Sequence, residues 1–139
     1  MFTDMRIAFD DAALYESFAR WLDVTMPSGA YHAWIVETTD GNGGAAEIVG
    51  GGGATILPWS PGPDYPGDKL AFVYNVYVDP AHRRRGVARL VMETIHAFCR
   101  HNGIGSIALN ASEDGRGLYE SLGYQVTPSP MMFFAVVGV

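Results

Sequence analysis

A mixed α/β domain spanning residues 1–139 is the fold class that this sequence predicts, on three observations. Apolar residues recur at steps of three and four in stretches near 14–24, 87–98 and 113–122, the period of a helix with one buried face. Between them lie short runs rich in apolar, β-branched and aromatic residues, bounded by glycine and proline, which read as strands. Finally, Asn75 to Leu90 passes from strand to loop to helix within one continuous stretch, an alternation that layers helices on a sheet. At 139 residues the chain supports one sizeable core and is too short for two, and 48% hydrophobic with 17% charged residues is an ordinary globular composition.

Taken in order, Asp10 or Asp11 is placed to cap a first helix whose Leu14, Phe18, Trp21 and Leu22 share a face up to about Val24. Pro27, Ser28 and Gly29 end it. Tyr31 to Glu37 predicts a strand, Asp40 to Gly44 a turn, and Glu47 to Ile56 the returning strand of a hairpin. Gly50 to Gly53 lie inside that strand; with no Lys-Ser/Thr and no helical period after them, they read as a bulge or a close backbone approach rather than a phosphate loop. Leu57 to Asp68 holds Pro58, Pro61, Pro63 and Pro66 and predicts an ordered surface loop. Leu70 to Val78 is the central strand, stopped by Pro80, which lacks an amide hydrogen. Val87, Leu90, Val91, Thr94, Ile95 and Phe98 then mark one helical face, with Gly86 in the first turn and Gly103 as the C-terminal stop. Ser106 to Ala111 predicts a short strand, Glu113 to Leu122 a helix capped by Ser112 and closed by Gly123, and Tyr124 to Thr127 and Met132 to Val137 two last strands about a proline turn.

Charge narrows the function. The net charge of -6 argues against broad nucleic-acid binding, yet four of the nine basic residues are Arg83, Arg84, Arg85 and Arg89. Positive charge is therefore local and suits one small anion. A helix start leaves amide hydrogens without intrahelical partners, and small residues at Gly86 and Ala88 let an anion reach them, so a phosphate or pyrophosphate ringed by guanidinium groups is the expected ligand class; a solvated basic helix start is the plainer alternative. The single Cys99 has no disulfide partner and lies beside the central helix's apolar face, where packing is its expected role. Neither a signal peptide nor a membrane span is legible, so a cytoplasmic setting is expected. His32, His82, His96 and His101 lack ligand spacing with Cys99 or one another, and no metal is expected; His82 reads as a solvated loop residue and His96 and His101 as helical residues without partners.

Two segments resemble the GNAT superfamily of acyl-CoA N-acyltransferases. Val78, Pro80, Arg83, Gly86, Val87 and Ala88, with Arg89 leading into Leu90 and Val91, match that family's acetyl-CoA loop, Val-x-Pro-x-x-Arg-x-x-Gly-Val/Ile-Gly/Ala; Leu118-Tyr119-Glu120-Ser121-Leu122-Gly123-Tyr124 matches its Leu-Tyr-Glu-x-Leu-Gly-Phe/Tyr segment. Order and separation are also those of the family, and the resembling region runs from about Ala71 to Tyr124. The resemblance implies a mostly antiparallel mixed sheet flanked by helices, splayed between its fourth and fifth strands where acetyl-CoA enters. It implies that the pyrophosphate rests on the amides of Arg85, Gly86, Val87 and Ala88 with Arg83, Arg84 and Arg89 around it, and that the pantetheine pairs with the backbone at Val76 and Val78. An amide near Val76 or Tyr77 would polarise the thioester carbonyl. Tyr119 corresponds to the tyrosine that protonates the departing thiolate, packing being its alternative.

The chain also departs from that pattern. Tyr74 and Asn75 stand where many members carry a glutamate base, so proton removal would pass through a water held by Asn75 or to a carboxylate such as Glu113 or Asp114. Ser112 replaces a frequent asparagine at the pantetheine. Met1 to Ile7 is a poor strand, which leaves the family's first strand shortened or missing and an edge that a homodimer would cover. Substrate contacts are expected from Trp21 to Tyr31 and from the proline loop, with Trp59, Asp64, Tyr65 and Asp68. The expected activity is acetyl transfer from acetyl-CoA to a primary amine of a small molecule or peptide; a non-catalytic CoA-binding or regulatory module is the alternative.

Overall fold

The computed structural model describes residues 12–38 and 47–136. The proposed caps Asp10 and Asp11, the Asp40 to Gly44 turn, the first-strand segment Met1 to Ile7 and the last strand's Val137 lie outside them.

Helix α1 covers Ala12–Ser28 and strand β1 Tyr31–Thr38; β2 is Glu47–Pro58, β3 Lys69–Val78, α2 Val87–His101, β4 Ser106–Leu109 and α3 Arg116–Ser121, with a 3-10 turn at Pro80–His82. The described strands form one sheet in the order β1-β2-β3-β4. β1, β2 and β3 pair antiparallel, and β4 joins β3 parallel through the α2 crossover, the connection that parallel neighbours require. The expected mixed α/β class is the one found.

Helices lie on both faces, and side-chain alternation along β1 shows why. Tyr31 turns toward α1, where its ring meets Trp21 at 5.0 Å, while His32 and Trp34 turn toward Phe98 of α2 at 4.6 and 5.2 Å. The core joins Ala54, Ala71 and Val73 of the sheet to Val91, Met92, Ile95 and Cys99 of α2 and to Ile104. The buried stripe of α2 is rotated from the expected one: Met92 and Cys99 are inside, whereas Leu90 and Thr94 are exposed. A helix centred over the sheet buries the narrow face 91-92-95-99, and both readings share the same period.

The glycines of β2 explain how closely the layers approach. A Cβ at Gly50 would lie 2.7 Å from Val87 Cγ1, and one at Gly52 2.9 Å from Val91 Cγ1, so α2 rests on bare backbone. On the other face a Cβ at Gly53 would overlap the Tyr31 hydroxyl. Close approach is therefore the reason for the run, and the bulge lies opposite it: Gly51 pairs with Tyr77 and Gly53 with Tyr74, leaving Asn75 and Val76 of β3 facing Gly52.

Several expected boundaries shift. α1 runs through Pro27 and stops at Gly29, whose φ of 79° carries the chain out of the helix; a proline in the last turn forfeits one bond that its neighbours replace, Ala30 N–H donating to Thr25 O at 3.1 Å. β4 stops at Leu109 rather than Ala111, where its pairing with β3 ends. α3 begins at Arg116 rather than Glu113, because Ser112 holds a preceding turn, its Oγ accepting from Gly115 N–H at 3.1 Å and its carbonyl from Arg116 N–H at 3.0 Å. The strands expected at Tyr124 to Thr127 and from Met132 are not formed among the described residues: residues 124–136 are irregular, with a bend at Pro128 and Ser129 where Thr127 Oγ1 donates to Ser129 O, and Pro128 and Pro130 supply no donors for a ladder. The proline loop is ordered as expected, with Trp59 N–H donating to Asp68 O at 2.9 Å, Ser106 Oγ donating to Pro66 O at 2.7 Å and Trp59 meeting Tyr65 at 5.7 Å. No described helix is long and apolar enough to cross a membrane.

Candidate active site

The arginine turn follows β3 directly. Asp79 accepts from Ala81 N–H through its carboxylate and lies 3.3 Å from His82 Nδ1, so Pro80–His82 forms a fixed elbow and His82 is a part-buried member of it rather than a solvated residue. Arg84 has φ 64° and Gly86 φ 77°. Alternating the sign of φ turns successive amides toward one side, the backbone geometry that receives anions. Gly86 is the N-cap of α2, not a residue of its first turn, and nothing lies within 4 Å of where its Cβ would be. Its requirement is conformational, since a left-handed φ costs a residue with a Cβ about 1–2 kcal/mol. Arg83, Arg84 and Arg85 are exposed around it, and Val87 and Ala88 open the helix. Arg89 points elsewhere: its guanidinium donates to Ser121 Oγ at 2.8 Å and lies 3.9 Å from Glu93, joining α2 to α3.

Pairing between β3 and β4 ends at Val73 and Leu109, while β3 continues to Val78. Asn75, Val76, Tyr77 and Val78 thus lie on the portion of β3 beyond its parallel neighbour. Asn75 occupies the bulge with φ 60°, and its Nδ2 is buried with no hydrogen-bond partner. The amide interacts with the neighbouring Tyr31 phenol without forming a well-aligned hydrogen bond, so it keeps capacity for an acceptor atom. Beside it, burial pushes the Tyr31 phenol above its ordinary 10.0; the Asn75 side chain pulls the other way and Tyr74 adds to the rise. Tyr74 is raised by burial too, opposed by its hydrogen bond with Thr55. Trp21, Tyr31 and Tyr74 form one aromatic wall, with Tyr31 and Tyr74 centred 5.7 Å apart. The segment expected to contact substrate, Trp21 to Tyr31, supplies two members of this wall, whereas Tyr74 was not foreseen in it; the signal for the packing is Gly53, whose missing Cβ leaves room for the Tyr31 hydroxyl.

Tyr119 stands on α3 against the Ser112–Gly115 turn. A Cβ at Gly115 would come 3.0 Å from Tyr119 Cε2 and 3.1 Å from Ser112 Oγ, so the glycine makes space for the ring. Burial pushes the Tyr119 phenol up, which keeps it protonated at neutral pH. Its ring meets Tyr124 at 5.8 Å, and Tyr124 N–H donates to Tyr119 O at 3.0 Å. Tyr124 is in turn held by His96, whose Nε2 lies 2.7 Å from its hydroxyl, so His96 does have a partner; no helical period foretells a bond across 28 positions. Cys99 is buried in the core as expected, its thiol pushed up by burial. Glu113 and Asp114 are exposed in the turn before α3. Among the described residues no group of three or more His, Cys, Asp or Glu side chains is arranged to hold a metal.

Comparison with known proteins bears on both segments. A GCN5-related N-acetyltransferase from Ralstonia eutropha JMP134 is similar in structure, with a TM-score of 0.78 and 33% identity over 96% of this chain and 86% of that one. A predicted acetyltransferase from Clostridium acetobutylicum, solved with acetyl-CoA, shares the fold at a TM-score of 0.79 and 19% identity, covering 96% of this chain and 82% of that one. Among curated sequences, human N-acetyltransferase 8B is 32% identical over 63 residues, which are 43% of this chain and 28% of that protein's length. The model of the Acetyltransferase (GNAT) family matches residues 2–124. Since that match runs through both the arginine turn and the Tyr119 helix, the chain belongs to the GNAT acetyltransferase family.

Proposed function

We propose that this protein is an N-acetyltransferase that moves the acetyl group of acetyl-CoA directly to a primary amine of a small molecule or peptide. The observation that supports the reading is the turn itself: a left-handed Gly86 caps α2 with nothing within 4 Å of its would-be Cβ, and Arg83, Arg84 and Arg85 before it are exposed, which suits amides from Arg85 to Ala88 as the pyrophosphate seat. Pyrophosphate fits such donors, and the pantetheine then continues along β3 beyond Val73, accepting and donating at the backbone of Val76 and Val78. Ser112, in the turn before α3, is the side chain assigned to the pantetheine. Arg89 contributes through its bridge to α3, holding the Tyr119 helix against the cofactor helix. The Clostridium neighbour with acetyl-CoA supports the same occupant here.

In the reaction the amine nitrogen attacks the thioester carbonyl carbon, and the amide near Val76 or Tyr77 stabilises the oxyanion. The carbon–sulfur bond then breaks, and the CoA thiolate takes the Tyr119 proton, which burial keeps on the phenol at neutral pH. The proton lost by the amine leaves through a water bound to the buried Asn75 amide, since neither Tyr74 nor Asn75 accepts a proton at neutral pH. The aromatic wall of Trp21, Tyr31 and Tyr74 borders the acceptor. The rival reading, a CoA-binding module without catalysis, is favoured by that missing carboxylate.

Calorimetric titration with acetyl-CoA tests the reading, compared with an Arg85→Glu, Gly86→Asp double variant. Saturable binding by the wild type and none by the folded variant is expected; a folded wild type that binds no acetyl-CoA defeats the proposal. An amine screen with thiol detection then separates enzyme from module, and Tyr119→Phe is expected to lower kcat by about 100-fold or more with little change in KM.

A further inference from the structure

Tyr119 stands on a helix of 6 residues, too short to be stable on its own, so the aim of its side chain depends on what packs against it. Two neighbours confine its ring. On one side is the Ser112–Gly115 turn, where a Cβ at Gly115 would come 3.0 Å from Tyr119 Cε2. On the other the Tyr124 ring meets it edge to face, with centres 5.8 Å apart and planes at 69°. Gly123, with φ of 98°, turns the chain so that Tyr124 N–H donates to Tyr119 O at 3.0 Å. That bond fixes the Tyr124 backbone without setting the direction of its ring. The direction comes from α2: His96 Nε2 lies 2.7 Å from the Tyr124 hydroxyl, and the two ring centres are 5.5 Å apart. His96 follows Ile95, which is buried in the core, so a single polar bond links the rigid centre of the molecule to the ring that abuts Tyr119.

We propose that His96 is a positioning residue for Tyr119: its bond to the Tyr124 hydroxyl sets the Tyr124 ring, and that ring sets the Tyr119 phenol. The catalytic consequence rests on the reading of Tyr119 as proton donor to the CoA thiolate. Both ends of the bond are uncharged at neutral pH. Burial lowers the His96 pKa, with Arg100 adding to the fall and Glu93 opposing it; burial raises that of Tyr124, with Cys99 and Tyr119 adding to the rise. A neutral imidazole nitrogen and a phenol hydroxyl can bond in either tautomer, one donating and the other accepting, so the link holds there without a salt-sensitive charge. Both groups are half-buried, and removing one leaves the other without its partner and its ring without a fixed direction. Direction matters because a proton donor works only when aimed, and a displacement of about 1 Å in a reacting group costs as much as about 100-fold in rate. Among the described residues no hydrogen bond joins the two tyrosine hydroxyls, so His96 acts on aim and relays no proton.

Magnetic resonance of the free protein with ring-labelled tyrosine tests the link without any substrate. The Tyr119 signal is assigned by its loss in Tyr119→Phe. His96→Leu and Tyr124→Phe are each expected to shift it, whereas His96→Gln, which keeps a hydrogen-bonding group at similar reach, leaves it near the wild-type position. A Tyr119 signal unmoved in both His96→Leu and Tyr124→Phe, or moved as far by His96→Gln as by His96→Leu, overturns the proposal. Turnover with the fastest amine of the thiol-detection screen then reads the consequence. His96→Leu is expected to lower kcat by about 10-fold with KM for acetyl-CoA unchanged, and to have no further effect once Tyr119→Phe is present. A loss of the same size in the Tyr119→Phe background would show that His96 acts elsewhere and overturns its role. If the ring signal moves but Tyr119→Phe alone leaves kcat unchanged, the proton-donor reading of Tyr119 fails, and the part given to His96 in the reaction falls with it.

Discussion

Gly50 to Gly53 of β2 lie beneath other atoms, whereas Gly86, before α2, lies beneath none. In the strand the missing Cβ lets Val87 and Val91 descend on one face and the Tyr31 hydroxyl on the other, so the run is a packing device. In the turn, Gly86 has a φ of 77° and nothing within 4 Å of its would-be Cβ, so the glycine is a conformational device at an exposed position. Glycine alone does not mark a ligand loop; the surrounding layer decides which use applies.

That contrast breaks most sharply at Gly53→Val. With the Tyr31 ring above it, overpacking is expected to cost about 3 kcal/mol or more, read as a large fall in melting temperature or loss of soluble protein, with any surviving fraction binding acetyl-CoA normally. Gly86→Asp is expected to do the reverse: acetyl-CoA affinity falls by about 100-fold from charge and backbone together, while stability falls by only about 1–2 kcal/mol. If Gly86→Asp unfolds the protein and Gly53→Val is silent, the assignment of roles is inverted. A smaller effect belongs to Arg85→Glu, about 10-fold in affinity and shrinking as salt rises, because the side chain is exposed and screened.

The smallest effect sharpens the contrast from the interior. Burial lowers the His96 pKa below its ordinary 6.5, with Arg100 adding to the fall and Glu93 opposing it. The unfolded chain therefore takes up this proton first, so stability is full above pH 6.5 and declines as pH drops through the lower folded value. His96→Gln is expected to flatten that acid slope in pH-dependent melting without changing acetyl-CoA binding at pH 7. An unchanged slope would show that His96 is not the group responsible.

Much of the architecture was legible because it is written in local periods. The strands at 31, 47 and 70, the α2 helix and the ordered proline loop follow from alternation, helical spacing and proline chemistry, which act between near neighbours. The family followed from two motifs that the match over residues 2–124 contains. Less legible were features made by distant residues: the rotated stripe of α2, the Tyr124 bond to His96, the diversion of Arg89 to Ser121 and the aromatic wall around Asn75. The final strands were misread for a related reason. Met132 to Val136 carries strand-forming residues, but a strand exists only when another supplies its hydrogen bonds.

By itself, then, the sequence determined which segments become helix or strand, where positive charge collects and which family motifs occur, since these depend on residue type and short-range spacing. Tertiary structure decided that the glycine run is a seat for α2 and Tyr31, that Gly86 acts through its φ, that Asn75 sits in a bulge with a buried unpaired amide, and that β4 ends the described sheet with an open edge. Those facts depend on which layers meet and in what register, and packing across dozens of intervening residues has no counterpart in a local pattern.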